Sequence, residues 1–207
     1  MNTQTTYLNQ FVDAFRFLAK LDKAYRKTQP DFDEIKRVFM SNMIDLKSEY
    51  EVLRGKLRLL ANSYLDHFDG PEVFANQCHS LSQEFLDIWQ EVELARAFPL
   101  TVTIGNIFYK GENIFNISKS SLKRTLNEGM VIDKPLNAHV WLTLDDATVI
   151  DLSIISTLIR REKIIYSKEM PLALIWNESE PDDYLFEPLL VDNNFFWKID
   201  KVDPALF

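Results

Sequence analysis

The sequence predicts an α+β protein, with helices first and a mostly antiparallel sheet after them. Two observations carry this. Apolar residues in the first third recur at steps of three and four, the period of a helix face. From about residue 100 onward they fall instead into short runs, one pair of them alternating cleanly, between breaks of Gly, Pro, Asp and Asn.

The first helix is expected over residues 5–27, where Tyr7, Phe11, Ala14, Leu18, Leu21 and Tyr25 make one stripe. Pro30 ends it, and Asp31 with Glu34 forms a capping-box start for the next. There Phe39, Met43, Leu46, Tyr50, Leu53, Leu57, Leu60 and Tyr64 keep a 4-3 repeat, the pattern of a coiled-coil seam. A single helix of about 35 residues and about 50 Å follows from that spacing, with Gly55 able to soften its middle. The two segments predict an antiparallel helical hairpin, which either packs on its own chain or serves as a partner-binding or dimerising arm. Asp69-Gly70-Pro71 stops it. The expected organisation is therefore a helical hairpin over 1–69 and an α+β core over 70–207.

The core opens with a helix running to about Ala97, whose stripe is Cys78, Leu81, Phe85, Ile88 and Val92. Residues 101–109 read as a strand in which Gly105 marks a bulge or a close backbone approach. A returning strand is expected at 114–117, a short surface helix from Ser118 to a closing Gly129, and a connector over 130–137. The segment 153–161 is open between helix and loop. Runs at 163–166, 172–176, 185–191 and 195–199 read as further strands, and the acidic stretch from Glu178 to Asp183 as a solvated loop.

The most informative stretch runs from His139 to Leu152. It reads as two alternating strands joined by a turn at Asp145-Asp146. Side chains alternate across a strand and opposed residues share a face, so loop length fixes which residues meet. A two-residue loop would set Val140 against Asp151 and point His139 and Asp151 to opposite faces. A three-residue loop, Asp145 to Ala147, pairs Leu142 with Ile150 and Trp141 with Asp151. Val140, Leu142, Leu144, Ile150 and Leu152 then form one apolar face, and His139, Trp141 and Asp151 share the other. A one-residue slip would scramble both, so the pattern selects the odd loop.

Composition narrows the function classes. The chain has 207 residues and a net charge of −8, against the basic surface a nucleic-acid binder needs. No run reaches the ~18 apolar residues of a membrane span, and the first residues lack the basic-then-apolar build of a signal peptide. One cysteine permits no internal disulfide, as expected of a reducing compartment. The expected location is cytoplasmic, with signal-independent export leaving no mark in a sequence. No P-loop, GxGxxG or GxSxG motif is present.

The remaining chemistry gathers on Cys78, His139 and Asp151, in the order of a thiol-nucleophile site. Cys78 stands near a helix start, where the positive end of the dipole favours a thiolate. A zinc site from Cys78, His79, His139 and Asp151 matches no trusted spacing, so no metal and no cofactor are expected. His67 reads as a surface or capping residue.

A helix-borne Cys, a His-x-Trp strand and an Asp closing the next strand resemble the transglutaminase-like branch of the papain-like cysteine enzymes. The resemblance covers roughly residues 71–155 and rests on Cys78, His139, Trp141 and Asp151. It implies a Cys-bearing helix packed on the sheet that carries His and Asp. Cys78 would be the nucleophile, His139 its base and Asp151 the orienting group. Papain-like peptidases place a Gln several residues before the Cys as an oxyanion donor; here Gln77 directly precedes it. Transglutaminases carry Trp beside their Cys, where this chain has His79. Trp141 is expected to wall the site, or to stack on substrate. The implied activity is acyl transfer from an amide or ester through a thioester, with a protein or peptide as substrate. The alternative is an inactive protein-binding module working through the N-terminal helices.

Overall fold

The computed structural model of the chain describes residues 6–129, 138–178 and 183–200. The expected connector at 130–137, and residues 179–182 of the acidic stretch, lie outside these. In chain order the elements are α1 (Tyr7–Leu21), α2 (Lys23–Lys27), α3 (Phe32–Asp45), α4 (Lys47–Leu65), α5 (Cys78–Gln90), β1 (Leu100–Tyr109), β2 (Glu112–Asn113), α6 (Lys119–Glu128), β3 (His139–Leu144), β4 (Val149–Asp151), α7 (Ile154–Arg160), β5 (Leu174–Trp176), β6 (Tyr184–Val191) and α8 (Phe195–Asp200). Pro71–Phe74 and Glu93–Arg96 are 3-10 turns. The class is α+β, and the pairings β1–β2, β1–β6, β3–β4 and β4–β5 are all antiparallel. The chain forms two compact units. One draws on Met1–Phe39, Thr101–His139 and Glu178–Phe207, the other on Met40–Leu100 and Val140–Asn177.

In the first unit α1 buries Tyr7, Leu8, Phe11, Val12, Ala14 and Leu18 and packs on β6. Thr6 caps α1, and the Tyr7 amide donates to Glu178 Oε2 at 3.0 Å, so the first residue of the acidic stretch serves the helix start. The helix ends at Asp22 rather than near residue 27, because the Asp22 carboxylate accepts from the amides of Ala24 and Tyr25 and starts α2. β6 pairs with β1, and the register shifts between Ile104 and Gly105, the bulge anticipated from the glycine. α6 has the expected Ser118 start, with a capping box to Ser121, and closes on Gly129 at φ 79.

Two expectations fail here. The returning strand is only Glu112–Asn113, not 114–117. Asn113 Oδ1 accepts from the amides of Phe115 and Asn116, and buried Asn106 bonds both backbone groups of Ile117, so side chains replace ladder partners. The run 195–199 is helical rather than extended. Asp192 Oδ1 accepts from the Asn194 amide, and Phe195, Phe196 and Ile199 are buried at helical spacing.

In the second unit the long helix is broken at Leu46 (φ −111, ψ 22), not softened at Gly55. In α4 the buried stripe is Tyr50, Leu53, Leu57, Ala61 and Leu65. It departs from the expected Leu60 and Tyr64 because a straight helix follows a 3.6-residue period and drifts off a strict heptad. The same drift moves the buried face of α5 to Cys78, Leu81, Ser82, Phe85, Leu86 and Trp89, leaving Ile88 exposed. Trp89 Nε1 donates to the Phe98 carbonyl at 3.0 Å. Segment 153–161 resolves as α7. Residues 163–166 are not a strand: the Arg161, Glu162 and Lys163 amides donate back to the last carbonyls of α7, with Glu162 at φ 55.

Candidate active site

The strands that carry the candidate residues pair as the alternation required. Leu142 lies opposite Ile150 and Thr143 opposite Val149, across a loop of Asp145, Asp146 and Ala147. Ala147 adopts φ 65, its amide donates to the Leu144 carbonyl at 2.9 Å, and the Leu144 amide donates to Thr148 O at 2.8 Å. This is a three-residue hairpin loop with its last residue left-handed. Continued outward, the register sets Trp141 against Asp151.

The loop is held by charge as well as by geometry. Arg54 Nη1 reaches Asp146 Oδ2 at 2.8 Å, where the carboxylate is 2 % exposed. Asp146 also accepts from the Thr148 amide and hydroxyl. Asp145 accepts from the Tyr50 hydroxyl at 2.7 Å, and Asn42 Nδ2 donates to its carbonyl and its Oδ2. Burial pushes the Asp145 carboxyl above the ordinary range, against the lowering effect of these hydrogen bonds. Burial and the Asp145 carboxylate push the Tyr50 hydroxyl well above its usual value. The two aspartates read from sequence as turn formers therefore also tie the hairpin to α3 and α4.

Cys78 is the first residue of α5 and is buried. The residue before the helix, Gln77, is exposed and its side chain caps no amide. Asn76 takes φ 72, a left-handed conformation that asparagine tolerates, as the chain enters the helix. One turn on, the buried Ser82 hydroxyl lies 3.5 Å from the Val140 carbonyl of β3. Residues i and i+4 share a helix face, so the face of α5 that carries Cys78 is the one turned to β3.

Asp151 ends β4 fully buried. Its Oδ1 accepts from the Ser153 and Ile154 amides, both at 2.9 Å, and more weakly from the Ser153 hydroxyl. The carboxylate is thus fixed by the start of α7 and by the pairing of Asp151 with Leu174 on β5. Trp141 is fully buried, the largest side chain in the core to be so. His139 opens β3, is 1 % exposed, and stacks on Phe115 with ring centroids 4.1 Å apart and 16° between planes. Cys78, Trp141 and Asp151 belong to the second unit, and His139 is the last residue of a segment of the first. Sequence reasoning missed Phe115, because a partner 24 residues upstream leaves no local signal.

His67 is exposed, with Nδ1 2.7 Å from the Ser63 carbonyl, the helix-surface role expected of it. Among the described residues no group of three or more His, Cys, Asp or Glu is arranged to hold a metal ion. No helix among them is long and apolar enough to cross a membrane. No family model matches the chain, and no significant match was found among curated proteins or solved structures.

Proposed function

We propose that the chain is a cysteine-dependent acyl-transfer enzyme of transglutaminase-like type, acting on an amide or ester of a protein or peptide. The observation that carries this reading is the Leu142–Ile150 register. Alternation from it sets His139 and Trp141 on the face of Asp151, the parity that a base and its orienting carboxylate require. The packing of α5 on β3 through Ser82 supports it from the nucleophile's side.

In the proposed reaction His139 takes the Cys78 thiol proton as sulfur bonds to the substrate carbonyl carbon. The C–N or C–O bond then breaks, and the leaving group takes the proton from His139. Water or an amine attacks the thioester, loses its proton to His139 and frees the cysteine. Asp151, fixed by the α7 amides, holds the imidazole's orientation. Gln77 and the first amides of α5 would serve the oxyanion, and Trp141 would keep the site dry by filling its wall. A working thiol also suits the reducing cytoplasm.

The test is the pH dependence of iodoacetamide labelling in wild type and His139→Ala, with circular dichroism as the check on folding. A single cysteine gives a background-free readout. Labelling that stays fast well below the ordinary thiol pKa of about 8.5, and slows in the variant, is the expected result. An ordinary profile unchanged by the mutation refutes the enzyme. It would leave the second reading, a protein-binding module, which the exposed Ile44, Val52 and Leu59 on α3 and α4 favour.

A further inference from the structure

A second feature, within the first unit alone and using none of Cys78, His139 or Asp151, has the chemistry of a ligand site. A cleft of about 480 Å³ opens where the α1–α2 junction meets α6 and α8, a volume within the range of about 300–1,000 Å³ typical of small-molecule sites. Lys20, Lys23, Lys123 and Lys198 line it, against Asp22 and Asp192. Four cations and two carboxylates leave two positive charges, on a chain whose net charge is −8.

The cations are not spent alike. Lys198 Nζ donates to Asp22 Oδ2 at 2.8 Å and to Asp192 Oδ2 at 2.6 Å. An ammonium carries three N–H donors, so one remains, and no acceptor for it stands among the described residues. Lys20, Lys23 and Lys123 form no ion pair among the described residues. Beside them Leu18, Leu21 and Leu126 give the cleft an apolar wall. The site thus offers unspent donors and hydrocarbon together.

We propose that this cleft binds a small phosphomonoester whose organic part is apolar. Its phosphate would lie among the lysines and its organic group against the three leucines. The charge count selects the headgroup: a phosphomonoester carries about −1.5 to −2 near neutral pH and matches the surplus, whereas a carboxylate leaves one charge over. Lysine is a point-charge phosphate ligand that needs no bidentate geometry. An extended polyanion would meet the acidic remainder of the chain, so the ligand is compact.

The experiment is calorimetric titration of the full chain at low salt with phenyl phosphate, inorganic phosphate and benzoate. Phenyl phosphate is expected to saturate one site and to bind about tenfold more tightly than either of the others, which each lack half of its chemistry. The double variant Lys23→Ala/Lys123→Ala removes two exposed side chains. It should weaken phenyl phosphate at least about tenfold with its melting temperature unchanged. Failure to saturate at millimolar ligand, equal affinity for all three anions, or wild-type binding in the double variant each overturns the proposal.

Discussion

Asp145 shows how one buried carboxylate shapes a pH profile. Burial raises its pKa, so across the window above the ordinary value of about 3.9 the folded chain holds a proton that the unfolded chain has lost. Its contribution to stability is therefore greatest at low pH and falls as pH rises through the folded value. Urea unfolding of wild type and Asp145→Asn between about pH 4 and 8 measures it: the difference between the two should tilt against wild type with rising pH. A flat difference would mean that Tyr50 and Asn42 compensate for the burial. The hairpin register was readable at this scale because strand parity is a local fact. The stack of Phe115 on His139 and the ion pair of Asp146 with Arg54 were not, because each joins residues far apart in sequence.

Among the elements, the best-read were those whose signal is confined to a few consecutive residues. The odd hairpin loop followed from alternation, the bulge in β1 from Gly105, and the ends of α6 from Ser118 and Gly129. The errors arose where side-chain bonds to the backbone, or bonds between distant residues, outweighed the apolar pattern. The helix break at Leu46 falls between Asn42 and Tyr50, which both bond Asp145, and the run 195–199 became a helix behind the Asp192 turn. Gly55 is a different case, a glycine inside α4 that no packing explains. A Cβ there meets nothing within 4 Å. Gly55→Ala should therefore stabilise the protein by up to about 1 kcal/mol, the difference in helix propensity. That is a rise of roughly 2–4 °C in a protein of this size, readable by scanning calorimetry. A fall would place Gly55 against something the isolated chain lacks.

At the scale of the molecule, the interleaving of the two units was invisible in the sequence, because no composition change marks residues 39, 100, 139 or 177. In the first unit Lys198 ties the turn between α1 and α2 to the segment after β6. Burial alone would depress its pKa, but the bonds to Asp192 and Asp22 outweigh burial and raise it. The Lys198 bond also lowers Asp22, while burial raises Asp192 despite the same lysine. The lysine's share of stability is thus present below about pH 10.4 and lost as pH rises through its raised value. The Asp22 share is present above about pH 3.9 and lost as pH falls through its lowered value. Lys198→Met leaves the Asp192 carboxylate, 3 % exposed, without its cation, and should cost about 3 kcal/mol near neutral pH. Chemical denaturation across pH should show that deficit shrinking toward both extremes, and a constant deficit would assign it to lost packing instead.

The packing of α1 on β6 has a consequence for how the protein is made. About 160 residues separate the apolar face of α1 from the strand that covers it. At a translation rate of roughly 5–20 residues per second, that face waits on the order of ten seconds or more outside the ribosome for its partner. Throughout that interval Tyr7, Phe11 and Leu18 are a natural grip for a chaperone.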